Sequence, residues 1–153
     1  MGTVTYPNAD VQRDLAEHFV PVQFNVVDQP EAMERFNSAW TPSIIVQDAD
    51  GREYRRCLGY LDPKRFLGEM ALARLLWAVH RQRWPDAANR AAEAARIAGG
   101  DAYREPEALY FAAVADYKIS KDAGKLLAGW NRLLDRFPDS EWAKRVEFIR
   151  QSK

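Results

Sequence analysis

The chain of 153 residues has a single cysteine, Cys57. No disulfide can close within it and no thiol pair can pass electrons inside it, so dithiol chemistry by this chain alone is excluded. A lone thiol suits a reducing compartment, and a cytoplasmic location is expected. An excess of one charge is also missing: 22 Lys+Arg balance 22 Asp+Glu. Residues 1–80 carry 8 basic against 11 acidic residues, and residues 81–153 carry 14 against 11. Neither half concentrates the positive field that nucleic-acid binding requires, so no DNA or RNA partner is expected. No apolar run approaches the roughly 18 residues of a membrane span. The first residues, Met1-Gly2-Thr3-Val4-Thr5-Tyr6-Pro7, lack the basic and apolar regions of a signal peptide, and Tyr6 stands where myristoylation needs Ser or Thr. No membrane partner is expected. His18 and His80 lie far apart, with no partner at metal-ligand spacing, and read as surface or boundary residues. Without a Gly-rich phosphate loop, a Ser/His/Asp arrangement or a carboxylate pair, no hydrolase, kinase, metal or other cofactor is expected, and no residue is assigned a catalytic role.

What is present begins with a short helix. Asn8 to Phe19 carries Val11, Leu15 and Phe19 at i, i+4, i+8, with Asp10 and Asp14 near its positive end. Val20 to Val27 (VPVQFNVV) alternates apolar and polar residues and predicts a strand entered at Pro21. A second short helix, Pro30 to Asn37, brings Met33 and Phe36 together. Trp40-Thr41-Pro42 then precedes the β-branched run Ser43 to Gln47. A proline cannot donate to a ladder, so it sits at the strand's entry. An X-Pro bond also admits the cis isomer, which would turn Trp40 and Thr41 outward as a binding lip; the residues alone leave cis and trans both open. Asp48-Ala49-Asp50-Gly51 predicts a hairpin turn into Arg52–Leu58, because Gly51 accepts a positive φ. The same acids resemble the front of a calcium loop, but the spacing is wrong for an EF-hand. Asp62-Pro63 opens a helix to about Arg83, with an apolar face broad enough for two cores.

Beyond Arg83 the texture turns alanine-rich and helical. Helices are expected over 84–97, 106–119, 123–137 and 138–150. Leu109, Tyr110, Phe111, Leu126, Leu127, Trp130, Leu133 and Leu134 supply the faces through which these hairpins pack. Trp77, Trp84, Trp130 and Trp142 lie in helical patterns and read as packing residues; Trp40 is the aromatic left for partner contact. Cys57 lies mid-strand beside Arg55 and Arg56, which favour a thiolate where the side chain is exposed. A small buried strand residue is the better reading of it, and a lone-thiol reaction the poorer one.

The order of Phe19-Val20-Pro21-Val22, Met33-Glu34-Arg35-Phe36, Trp40-Thr41-Pro42-Ser43, Asp48-Ala49-Asp50-Gly51-Arg52-Glu53 and Gly59-Tyr60-Leu61 resembles the thioredoxin-like family. The resemblance implies a cis Pro42 whose lip, with Gly59, faces bound thiols or extended peptides. It also implies a central strand and a Cys-x-x-Cys that this chain does not have. Met1 followed by Thr5-Tyr6-Pro7 looks like a family sequence cut just after its active site, or like a degenerate member without redox chemistry. The missing strand would lie between the 20–27 and 43–47 strands. Either Thr3–Tyr6 replaces it or a second chain does, by swapping or strand addition, so a homodimer that completes the sheet is one expectation. Residues 68–150 resemble tetratricopeptide repeats: Tyr110, Tyr117, Leu126, Trp130, Leu133 and Pro138 follow one repeat, and Ala78, Trp84, Ala87, Ala91 and Ala94 follow the spacing of another.

The expected architecture is α/β plus α: an incomplete thioredoxin-like sheet with flanking helices over 1–67, then a tetratricopeptide-like helical region over 68–153 that shares the 63–83 helix. The expected function is non-catalytic binding of a peptide or protein partner through Trp40, Thr41, Pro42 and Gly59. The alternative is a thiol-disulfide oxidoreductase whose Cys-x-x-Cys lies upstream of Met1.

Overall fold

The structure is a computed structural model and describes residues 1–151. Its elements are α1 (Ala9–His18), α2 (Glu31–Arg35), β1 (Ser43–Gln47), β2 (Glu53–Leu58), α3 (Pro63–His80), α4 (Trp84–Ile97), α5 (Arg104–Ser120), α6 (Ala123–Arg136), α7 (Glu141–Lys144) and α8 (Phe148–Gln151). The α/β-plus-α class is as expected, with one two-stranded antiparallel sheet followed by helices. The chain divides into two compact units, Met1–Leu67 and Gly68–Lys153, with the boundary inside α3.

In the first unit α1, α3 and the hairpin start where side chains supply partners for orphan backbone groups, whereas α2 starts at Pro30 without a side-chain cap. Asn8 Oδ1 accepts from the N–H groups of Asp10 and Val11 at 3.0 and 3.2 Å, capping α1. Asp62 Oδ1 accepts from the Arg65 N–H at 3.0 Å and caps α3. The hairpin turn is closed by Asp48: its carboxylate accepts from the N–H groups of Asp50 and Arg52 and from the Tyr54 hydroxyl, while Gly51 takes φ +80°. Asp48 is thus occupied in holding the turn rather than presented as a calcium ligand. A bulge at Tyr54, between the Val46–Arg55 and Gln47–Glu53 pairs, lets Tyr54 and Cys57 both point into the small core despite their odd spacing. Val11, Ala32, Leu61 and Phe66 are also buried there, with Tyr6 edge-on to Phe66.

Two expectations about this unit are corrected. Residues 20–27 are not a strand: 20–25 run without regular structure and 26–28 turn. An alternating pattern becomes a strand only against a ladder, and this segment has none, so Val20 remains 90% and Val22 69% exposed. Nor does Thr3–Tyr6 replace the missing strand. The Met1 carbonyl accepts from the N–H groups of Val4, Thr5 and Tyr6, winding the segment into a turn. Buried Thr5 donates its hydroxyl to the Leu61 carbonyl at 2.5 Å, which holds that turn in the core.

The regular structure of the second unit is all helical among its described residues. Ala87, Ala91 and Ala94 form a fully buried ridge on α4, and with Leu72, Leu75 and Ala78 of α3 and Ala108 and Ala115 of α5 they build one core. Small side chains let the helix axes approach closely. A second core joins Leu133 and Leu134 of α6 to Ala143 and Val146, under Tyr110, Trp130 and Trp142. Gly129 lets α6 come close to Ala113 of α5: a Cβ at Gly129 would stand 2.5 Å from the Ala113 Cβ.

Helix ends differ from expectation in three places. The helix opened by Asp62 stops at His80, and Gln82 turns with φ +55°. The helix expected from Pro106 begins at Arg104, because Asp101 Oδ1 accepts from the N–H groups of Tyr103 and Arg104. The expected last helix, 138–150, is broken into α7 and α8. Hydrogen bonds from Val146 to Ala143, Ile149 to Val146 and Arg150 to Glu147 span three residues rather than four. That tighter winding lines up Ala143, Val146 and Ile149, all packed into the second core.

Candidate functional site

The hairpin brings together the residues that the sequence set seventeen positions apart. The Gly59 N–H donates to the Pro42 carbonyl at 2.8 Å, extending the Ser43–Leu58 register by one pair to the mouth of the hairpin. The Thr41–Pro42 peptide bond is cis. Gly59 has φ +86° with open space where a Cβ would be, so the backbone conformation rather than crowding calls for glycine.

Trp40 stands 68% exposed at this mouth. Its backbone is braced: the Ser43 hydroxyl donates to the Trp40 carbonyl at 2.6 Å, and the Ser38 hydroxyl, 3.2 Å from that carbonyl and in contact with the Ser43 hydroxyl, gives its one proton to either oxygen. The lip is therefore held from both sides while its indole is left to solvent. Leu58 and Tyr60, on either side of Gly59, are more than half exposed. Sequence reading singled out Gly59 and missed these two neighbours. The available signal was the register itself, since residues flanking Gly59 must stand opposite those flanking Pro42. The bracing serines were also missed; Ser43 was seen only as the first strand residue.

Behind the lip, Arg56 ties β2 to the end of α2. Its Nη2 donates to the Phe36 carbonyl at 2.9 Å and its Nη1 to the Asn37 carbonyl at 3.4 Å, while Nε donates to Glu53 Oε1 at 2.8 Å. A cation on the carbonyl end of a helix is well placed for the helix dipole. The hydrogen bond to Glu53 raises the guanidinium's pKa above its ordinary value, against a small lowering from burial.

Cys57 lies one residue before this mouth in sequence but is 9% exposed, opposite Ile44 in the ladder. A thiol in that position is shielded from a substrate disulfide. His18 lies on α1 near Asp14 and Glu17 at 4.0 and 3.9 Å, and His80 is at the end of α3. No group of three or more His, Cys, Asp or Glu side chains able to hold a metal forms among the described residues. Among the described residues no helix is long and apolar enough to cross a membrane. The packing tryptophans sit against core: Trp77 and Trp84 against the first helical core, Trp130 and Trp142 against the second. Tyr110 stacks on Trp130 at 5.4 Å, and the Arg145 guanidinium lies 4.4 Å above the Trp142 ring.

Residues 3–74 match the family model described as a thioredoxin-like domain. The match covers the whole lip and hairpin and ends within α3. No curated protein and no solved structure matches the chain.

Proposed function

We propose that this chain, thioredoxin-like over residues 3–74, is a non-catalytic binding protein that holds an extended peptide or a protein partner at the Trp40-Thr41-Pro42 lip. One observation carries the reading: an exposed indole on a hydrogen-bonded, immobilised backbone. Such a side chain presents a large apolar surface with little ordering entropy left to lose on binding. Leu58 and Tyr60 widen the apolar surface beside it, and the conformation of Gly59 keeps the opposite side of the mouth clear of a side chain. The burial of the single cysteine supports the non-catalytic part of the reading, and it suits a cytoplasmic protein.

The helical region completes the proposal as a short tetratricopeptide-like tail. Its support is the run of helical hairpins α4–α5–α6 joined through small residues, with Gly129 close against Ala113.

The test is selection of binders from a displayed library of extended peptides, followed by titration of one selected peptide. Trp40→Ala is expected to weaken it about tenfold or more, the usual cost of removing a central aromatic anchor, with the circular dichroism spectrum unchanged. Equal affinity for Trp40→Ala and the unaltered chain refutes the lip as the site. In an insulin-reduction assay with dithiothreitol the chain is expected to show background rate only. Turnover above background that Cys57→Ser abolishes would instead assign a reaction to the lone thiol.

A further inference from the structure

The first unit contains both halves of a strand pairing that it does not make. Because the Gly59 N–H bonds to the Pro42 carbonyl, the bonded pairs of the ladder are 42–59, 44–57 and 46–55. The N–H and C=O of Ile45 consequently point away from β2, along an edge with no neighbouring strand among the described residues. That edge, Ser43-Ile44-Ile45-Val46-Gln47, has no charged residue and no interior proline. The outer edge of β2, by contrast, is guarded by Glu53, Arg55 and Arg56. The other half is the irregular segment 20–24, Val-Pro-Val-Gln-Phe, whose alternating pattern suits a strand. Its backbone makes no hydrogen bond to another described residue, and its two valines are exposed.

We propose that two copies of the chain complete each other's sheets, each laying its 20–24 segment along the β1 edge of the other. Charge selects this occupant. The edge offers no counter-charge to an acidic or basic strand, and the segment, uncharged from Val20 to Val27, is not repelled by it. Proline sets which side of the segment pairs. Pro21 has no N–H to give, and with side-chain and backbone directions alternating, Val20, Val22 and Phe24 carry the side that bonds the edge. The exchange is reciprocal, so it closes as a two-fold dimer without an open chain of subunits. The pairing is independent of the lip: loss of peptide binding in Trp40→Ala leaves the dimer unaffected, and loss of the dimer leaves the lip to be judged by titration.

The experiment is sedimentation of the full chain over a concentration series, together with amide hydrogen exchange. The unaltered chain is expected to sediment at twice its monomer mass at tens of micromolar. The Ile45 amide, unbonded within the hairpin, is expected to exchange slowly there and quickly on dilution. Val22→Pro is expected to give a monomer with unchanged helical circular dichroism. Val20→Lys, at the most exposed valine, serves as the second variant should the proline perturb folding. A monomer at all concentrations overturns the proposal, as does a dimer that survives both variants or one that leaves the Ile45 amide fast.

Discussion

The two units satisfy their backbones by different means. In the described part of Gly68–Lys153 the backbone-to-backbone hydrogen bonds are local, and the helices meet through alanine and glycine, with a few side-chain bonds such as Arg74 to Glu93 and Arg150 to Asn131 between them. In Met1–Leu67 the decisive bonds are long-range: Thr5 to Leu61 across fifty-six positions, and Arg56 to Phe36 across twenty. The same unit leaves a sheet edge and the irregular 20–24 segment unpaired among the described residues. A helix closes its own hydrogen bonds, whereas a strand depends on what lies beside it. The unit built on strands is therefore the one with groups left over for a partner.

Substitutions can break this contrast or sharpen it. The largest loss is expected from Leu133→Ala, fully buried in the second helical core, at about 3 kcal/mol by denaturant unfolding. A loss below about 1 kcal/mol would mean that close packing does not hold the helical unit. Gly129→Ala comes next. Alanine is the better helix former, yet its Cβ would meet Ala113, whose Cβ and Cα lie 2.5 and 3.2 Å away and belong to the helix itself. We expect a net loss of about 2 kcal/mol and a lower melting temperature, since overpacking outweighs the gain in propensity. A stabilised Gly129→Ala would show that α5 and α6 can slide apart at little cost.

Thr5→Val sharpens the other side of the comparison. It keeps the shape but strands the buried Leu61 carbonyl, for an expected loss of about 1–2 kcal/mol, read by urea unfolding. No loss would remove the long-range bond as a stabilising feature of the first unit. The smallest effect concerns Asp101. Burial raises its carboxyl pKa, but hydrogen bonds from the Tyr103 and Arg104 backbones and from the Arg104 side chain, with that guanidinium's charge, outweigh burial and leave it below the ordinary value. A lowered folded pKa stabilises above the unfolded value of about 4 and is lost as pH falls through the folded one. Asp101→Asn keeps an acceptor for the helix start but loses the charge. Its melting temperature should fall below the unaltered chain's at pH 7, and the gap should close as the pH drops below about 4.

Much of the fold was legible because its signals are local. Asn8, Asp62 and Ser140 mark helix starts by side chains that bond N–H groups two or three residues on. Asp48 and Gly51 mark the hairpin in the same way. The segment 20–27 carried an equally clear alternation and is no strand, because alternation reports which side chains would share a face and not whether a neighbouring strand exists. The broken last helix was illegible for a related reason: apolar residues at 143, 146 and 149 fit a helix nearly as well as the three-residue winding, and the packing of Val146 against Leu133 and its neighbours favours the latter. At the candidate site, Trp40, Thr41, Pro42 and Gly59 were visible as residue types, whereas exposed Leu58 and Tyr60 and the Ser38–Ser43 brace were not.

From its sequence alone the chain determined where several helices are capped, where the hairpin turns and that its one cysteine can close no disulfide within it. These follow from short-range hydrogen bonds, glycine's φ and simple counting. Tertiary structure decided which strands find a neighbour, that Cys57 is buried while Trp40 is left in solvent, and that Gly59 meets Pro42 at the hairpin's mouth. Those outcomes depend on segments distant in sequence meeting in space, and no local preference of the residues contains that information.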